Sequence, residues 1–518
     1  MSDPSHAKRK GFLRHFRGLI READPCADID LRGSLRLGKS TVKLPPPALP
    51  LQILLGGEQG YRLHLYPEPV LDAEGRFEHR GSYLLVDPMT YFSDVSGFIR
   101  LSEGDTLTLG RDDPTQRLLL RYPRAVEPRH LRLKLSADGL SIKNKSGAAG
   151  VCIAPLASTD LMERMSRWRR LALARLARVL GGPIEPLARA PALDLIEQVI
   201  ALMDQEPYRA LNRLGQPGGL LILPDRATPV FVGDLRARID NLLVILTQSA
   251  FLQALEEGSA ILIILGSAVH PDRPEQAAEM DSSILMMDLI FRLKLRFPER
   301  VFYLRGHHDS FSEAISHAGL PQGSLWEDAL HQARGPDYRD AMRRFYARLP
   351  LVAVTSRYLA AHAAPPIEAD GWQTLVDIDR HPELADRLAR VRHPSEPAPS
   401  SAYGRRDLSR MFRRLGLAEN AVCVLGARPA PSAERRARDT EGIVQHQRVS
   451  SADPHWVGTL TRTHKRLLPL RYPAEPLLEV YNRLVRSAGP GSTPNRQLTS
   501  LVQPIPSKPK DAPDEAPR

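Results

Sequence analysis

An α/β fold with parallel strand pairs, preceded by an all-β sandwich, is what this 518-residue sequence predicts. Three observations carry the prediction. Apolar runs of strand length end three times in a glycine turn bearing polar side chains: Val230-Phe231-Val232 before Gly233-Asp234, Ile261 to Leu265 before Gly266-Ser267, and Val301 to Leu304 before Gly306-His307-His308-Asp309. Segments with helical spacing, Ile239 to Phe251 and Ser282 to Phe297, lie between these runs, and strand–helix–strand alternation is the pattern of parallel pairs. Upstream, short apolar–polar alternations separated by Gly, Asp and Ser read as antiparallel strands of a sandwich.

Taken in order, residues 1–50 are polar and basic, then proline-rich at Pro45-Pro46-Pro47, and are expected to form an arm or linker. Residues 51–155 carry the sandwich, with strands at Leu107-Thr108-Leu109, Leu118-Leu119-Leu120, Leu131 to Leu135 and Leu140-Ser141-Ile142 and a hairpin turn at Asp138-Gly139. Residues 156–215 are a helical connector. Its first helix, from Asp160 to a stop at Gly181-Gly182-Pro183, has an apolar face through Trp168, Ala172, Leu176 and Val179 flanked by arginines, and is expected to pack on a domain. A second helix is expected over Ala192 to Leu214, and Gly215, Gly218 and Gly219 read as a turn. Residues 216–486 form the α/β unit, with further strands at Leu351 to Val354, Val422 to Leu425, Trp456 to Leu460 and Arg466 to Leu470. The tail, 487–518, is rich in Pro, Ser and charge and is expected to be disordered.

Composition narrows the class. Apolar content is 42% and the formal charge +11. No apolar run approaches the roughly 18 residues of a spanning helix, so no membrane span is expected, and no secretory signal is evident. Cys26, Cys152 and Cys423 are far apart and form no metal-binding pair; they read as buried thiols of a reducing, cytoplasmic compartment. Arginine outnumbers lysine and is spread along the chain without an aromatic-interleaved stripe, so no nucleic-acid partner is expected.

The polar turns at the strand ends should converge on one rim. Imidazole beside carboxylate there is what a metal-dependent hydrolase uses to hold a metal or protonate a leaving group. The order Gly233-Asp234, then Leu265-Gly266 with Val269, then Leu293-Lys294 through Phe297-Pro298-Glu299, Val301-Phe302 and Leu304-Arg305-Gly306 to His308-Asp309 resembles the calcineurin-like metallophosphoesterases, in particular the phosphoprotein phosphatase branch and its bacterial relatives. The resemblance covers roughly residues 216 to 430. It implies two packed sheets flanked by helices, and metal-assisted phosphoester hydrolysis.

Departures from the family pattern are severe. The resemblance implies Asp plus His as first-metal ligands; Asp234 is kept but Arg236 stands at the His position. The bridging Asp of the second block is Ser267. The Asn of the third block is His307, whereas His308 and Asp309 match. The fourth-block His is kept as His362, and the last metal-binding His falls at Ala427. A guanidinium cannot be deprotonated and offers no lone pair. At about 4 Å from a dication it would cost roughly 8 kcal/mol at an effective dielectric near 20. Two readings follow. In the first, the unit is a catalytically impaired pseudo-phosphatase with no bound metal and Arg236 paired to Asp234, acting as a protein-binding signalling module. In the second, it is an active phosphoesterase with a rearranged site: Asp234, His307 and His362 hold manganese, zinc or iron, His308 is the general acid and Asp309 orients it.

The β-sandwich has its own resemblance. Gly110-Arg111 after a strand, Pro128-Arg129-His130-Leu131 and the stretch Ser146 to Val151 are similar to the forkhead-associated domain, a phosphothreonine reader, over roughly residues 82 to 155. Arg111 and Arg129 are the candidate phosphopeptide-binding residues the resemblance implies. The phosphate-binding Ser position is Glu127 and the Asn position Ala149, so phosphate recognition is expected to be lost, His130 to be structural, and the sandwich to bind protein.

Overall fold

The computed structural model describes residues 35–39, 41–45, 50–56, 60–88, 98–112, 122–147, 150–156, 159–248, 250–390, 403–426, 446–463 and 466–487. Ten strands come first: β1 (Leu35–Arg36), β2 (Thr41–Leu44), β3 (Leu51–Leu55), β4 (Tyr61–Leu71), β5 (Phe77–Val86), β6 (Phe98–Leu101), β7 (Thr106–Leu109), β8 (Leu131–Ser136), β9 (Gly139–Asn144) and β10 (Val151–Pro155). They make a six-stranded sheet, β1-β10-β3-β4-β5-β6, facing a four-stranded sheet, β2-β9-β8-β7. Every pairing is antiparallel. Alternation along the strands decides what faces what. Leu63, Leu65, Tyr83 and Leu85 point between the two sheets with Leu131, Leu133, Leu140 and Ile142. Their neighbours Tyr66, Leu84, Val86 and Phe98 point the other way, into a core shared with the rest of the protein.

The expected boundary of the sandwich is corrected. Strands β1 and β2 lie inside the stretch expected as an arm, because Leu37, Val42 and Leu44 are apolar at the right spacing to fill the inter-sheet core. The strand expected at 118–120, the Ala149 and Ala427 positions and the expected tail lie outside the described residues. Cys423 is a buried free thiol. Cys152 is disulfide-bonded, against the expectation of three thiols, and its partner lies outside the described residues.

The connector is helical at first. Helix α1 (Thr159–Leu180) buries Leu173, Leu176, Ala177 and Leu180, a face rotated by one position from the one expected, and α2 (Arg189–Asp204) buries Ile196, Val199, Ile200 and Met203. Arg169 of α1 bonds both the Glu475 carboxylate and Thr247, and Glu475 accepts the Leu71 N–H at 3.2 Å. Sandwich, connector and α/β unit are thereby clamped at one buried ion pair, which explains why the basic helix packs rather than standing free. Helix α2 stops at Asp204 instead of running to residue 214. Beyond it β11 (Arg209–Leu211) turns at Asn212–Gly215 into β12 (Pro217–Ile222). Gly215 is in the turn, with φ of 73°. Gly218 and Gly219 are in the strand, where a Cβ would collide with the Val376 carbonyl and with Ile378.

The α/β unit continues with β13 (Thr228–Val232), α3 (Ile239–Thr247), α4 (Phe251–Glu257), β14 (Ala260–Ile264), α5 (Asp281–Arg296) and β15 (Val301–Tyr303). After these come α6 (Gln322–Arg334), α7 (Pro336–Arg348), β16 (Val352–Val354), β17 (Tyr358–Ala361), α8 (Trp372–Val376), α9 (Pro382–Ala389) and α10 (Arg405–Arg414). The last elements are β18 (Val422–Leu425), β19 (His446–Arg448), β20 (Trp456–Thr463), β21 (Arg466–Pro473) and α11 (Leu477–Ser487). Strands β13, β14 and β15 pair in parallel, as the alternation predicts, and the sheet order is β15-β14-β13-β20-β21. A second sheet runs β11-β12-β16-β17-β18-β19. Phe231, Ile261, Ile263 and Phe302 of one sheet meet Leu221, Ala353, Tyr358 and Val424 of the other. Helices cover both outer faces. The architecture is a two-sheet α/β layer flanked by helices, joined to an all-β sandwich.

Candidate functional site

Strands β13, β14, β15 and β17 end side by side, and the residues after them form the rim that the sequence singles out. Two glycine turns lie back to back there. Gly266 has φ of 94°, and a Cβ on it would be 2.5 Å from Gly306 Cα and N, so neither turn tolerates a side chain. Asp309 clasps the two turns. Its Oδ2 accepts the N–H groups of Ser267 (3.0 Å) and Gly306 (2.6 Å), and its Oδ1 accepts the Tyr303 hydroxyl at 2.6 Å. Burial raises the Asp309 carboxyl above the usual range against these donors. No hydrogen bond joins Asp309 to His308, the residue that the resemblance has it orient; its acceptors face the backbone and Tyr303.

His308 is held by different partners. Arg236 donates from Nη1 to His308 Nε2, from Nε to the His270 carbonyl at 2.8 Å and from Nη2 toward Gln322 at 3.5 Å. Gln322 is fully buried and donates to the Pro271 and Ala277 carbonyls, fixing the guanidinium's surroundings. The network sets the tautomers. With Nε2 accepting, His308 carries its proton on Nδ1 and gives it to His270 Nδ1 at 2.9 Å. His270 is then protonated on Nε2, which is buried without a hydrogen bond, its ring edge-on to Trp326. Burial first, then Arg236, holds both imidazoles well below their ordinary pKa, so the pair is neutral. A general acid needs a proton aimed at the substrate; both nitrogens of His308 are instead engaged inside the protein.

The remaining candidates lie on the other side of Ser267. His362 is fully buried, donates Nδ1–H to the Leu265 carbonyl at 2.6 Å and accepts from Ser267 Oγ at 3.3 Å. Burial lowers its pKa to about 3. Asp234 Oδ1 is 3.7 Å from His362 Nδ1 and makes no hydrogen bond. Burial pushes its carboxyl up to about 8, with Arg236 pulling in the other direction. The expected Arg236–Asp234 ion pair does not form, because the guanidinium's geometry is used on His308, His270 and Gln322. His307 lies at the rim with its ring 5.0 Å from that of His308.

The donor set does not fit the two metals that the resemblance implies. Ser267 is neutral, the Arg236 guanidinium is a fixed cation within the rim, and Nδ1 of His362 is turned to a carbonyl. Among the described residues no group of three or more His, Cys, Asp or Glu side chains is arranged to hold a metal. Of the candidate ligands, Asp234 lies beside His362 and His307 lies beside His308. The sequence reading missed His270 and Gln322. His270 follows the second glycine turn, and its φ of 68° has no sequence signature; Gln322 comes from a helix start with no motif at all.

At the sandwich, Glu127 lies in the loop between β7 and β8. Its carboxylate accepts the Gly147 N–H at 2.8 and 3.0 Å. His130 is fully buried, accepts the Glu127 N–H on Nδ1 at 2.9 Å and donates from Nε2 to the Gly150 carbonyl at 2.7 Å, tying two loops together. Arg111 donates to the Val126 carbonyl at 2.5 Å, and Arg129 is exposed.

No family model and no curated protein matches the chain. Among solved structures, a protein serine/threonine phosphatase from Saccharomyces cerevisiae, described as similar to human phosphatase PP5, is 14% identical, with 56% of this chain and 90% of that one covered, at a TM-score of 0.32. A cold-active protein-tyrosine phosphatase of a psychrophilic Shewanella species is 11% identical, with 49% and 83% covered, at a TM-score of 0.30. Likenesses at this level carry no argument about chemistry, which rests on the side chains above. No helix among the described residues is long and apolar enough to cross a membrane.

Proposed function

We propose that residues 216–486 are a phosphatase-like unit without two-metal chemistry, and that with the β-sandwich they form a protein-binding signalling module, a pseudo-phosphatase. The observation that supports this reading most is the Arg236 guanidinium on His308 Nε2. It puts a fixed cation on the imidazole that the resemblance assigns to proton donation, within the rim where dications would have to bind. Purified protein is expected to contain well under two metals per chain by elemental analysis and to show negligible manganese-dependent hydrolysis of an aryl phosphate. Near-stoichiometric binding of two metals, with hydrolysis abolished by Asp234→Asn, would refute it.

One observation favours the second reading, a hydrolase on a rearranged site. Asp234 Oδ1 is unbonded beside His362 and could accept a cation. That enzyme would have to release Arg236 from His308, and the same assay separates the two.

For the sandwich, the proposal is protein contact without phosphate recognition. Glu127 already satisfies the Gly147 N–H with its own negative charge, so a phosphate there meets like-charge repulsion on the order of 1 kcal/mol or more. Calorimetry with phosphothreonine peptides should give affinities no better than with their unphosphorylated forms; micromolar, phosphate-dependent binding lost in Arg111→Ala would contradict this.

A further inference from the structure

The outer face of the sheet β2-β9-β8-β7 is a patch of cations and hydroxyls. Inward-pointing Val42, Leu44, Leu131, Leu133, Leu140 and Ile142 are buried in the sandwich core, so the alternate residues face solvent. Register sets two rows across the strands: Thr41, Lys143, Arg132 and Thr108, then Lys43, Ser141, Lys134 and Thr106. Neither row contains an acidic or an apolar residue. The other sheet of the sandwich packs its outer side on the shared core, so this face points away from the α/β unit.

Arg132 and Lys143 are paired directly across the β8–β9 ladder. Like charges directly opposite each other destabilise a sheet. Lys43 and Lys134 stand within one or two strand spacings, which are about 4.8 Å each. Among the described residues no ion pair involves any of the four, and Lys43, Arg132 and Lys134 are exposed. The acids closest in sequence, Asp105 and Asp138, are in the turns at one end, and Asp105 accepts the Ser102 N–H. Solubility alone would be served better by mixed signs.

We propose that this face docks on the anionic headgroups of a phospholipid surface. The cations spread over three strands in two dimensions, which matches a plane of phosphates better than a single line of them. No aromatic is present in the two rows to stack a base, which disfavours a single-stranded nucleic acid. The sequence ahead of β1 is basic as well: residues 8 to 21 include six lysines and arginines, and each cation near an anionic lipid surface adds to the attraction.

The test is co-sedimentation of the full chain with phosphatidylcholine vesicles containing or lacking phosphatidylserine, at low and high salt. Wild type should bind only the anionic vesicles, and salt should release it. Each neutralised cation should weaken partitioning about fivefold, so the double variant Lys134→Gln, Lys143→Gln should lose about 25-fold. Its thermal midpoint should be unchanged or higher, because the opposed charges are relieved; this excludes misfolding as the cause. Three outcomes overturn the proposal: no anionic preference, wild-type binding by the double variant, or binding to duplex DNA with the same dependence on Lys134 and Lys143 while vesicles are ignored.

Discussion

Replacing Asp309 with alanine is expected to destabilise the protein by roughly 3–6 kcal/mol, far more than a typical surface change. The carboxylate is fully buried and accepts three donors: the Tyr303 hydroxyl and the N–H groups of Ser267 and Gly306. Alanine would leave all three in a dry interior, each at about 1–3 kcal/mol. The donors also belong to the two back-to-back turns, which approach so closely that Gly266 and Gly306 admit no side chain. Loss of the clasp should therefore loosen the rim as a unit. Urea denaturation is the measurement, and the midpoint should fall with an unchanged slope. A variant within about 0.5 kcal/mol of wild type would show that Asp309 is not the clasp.

The same clasp shows what the sequence can and cannot reveal. Strands β13, β14 and β15 are legible because Val230–Val232, Ile261–Leu265 and Val301–Leu304 are continuous apolar runs, each stopped by a glycine, and burial on both faces needs that composition. The fully buried β14 is the clearest case. Strand β11 is not legible: Arg209-Ala210-Leu211 carries no β signature, Leu211 is 57% exposed, and the hairpin is set by the Asn212–Gly215 turn. The rim is legible in its members and not in its wiring. Asp234, His308, Asp309 and His362 are all there, but which acceptor meets which donor depends on positive-φ positions at Arg236, Ser267 and His270. With Ala237, whose φ is 58°, they make four such non-glycine residues in one rim, backbone choices that only the assembled fold selects. The chemistry of a guanidinium alone makes Arg236 incompatible with a metal; that it chooses His308 over Asp234 follows from that backbone, and periodicity says nothing of it.

Asp234 carries the consequence of that choice, and it gives the second large effect. Asp234→Asn is expected to stabilise the protein at pH 9 by roughly 2–5 kcal/mol and to change little at pH 4. Burial raises the folded carboxyl to about 8, from an ordinary 3.8. A raised carboxyl pKa means that the folded state still holds a proton which the unfolded chain has released. Stability contributed by that proton is fully present below about pH 4 and is lost as pH rises toward and through 8. Each pH unit separating the folded from the ordinary value is worth about 1.4 kcal/mol; the side chain retains 13% exposure, and relaxation toward water reduces the effect from its full value. Asparagine has no proton to lose, so it removes the alkaline destabilisation. Thermal midpoints of wild type and variant, measured from pH 4 to 9, should coincide at the acid end and diverge with the variant higher at the alkaline end. A carboxylate holding a metal has the reverse signature: Asp234→Asn would lower the midpoint at neutral pH and strip the ion. The sign of one difference at pH 8 therefore separates a rim held together by Arg236 and Asp309 from one that waits for a cation at Asp234.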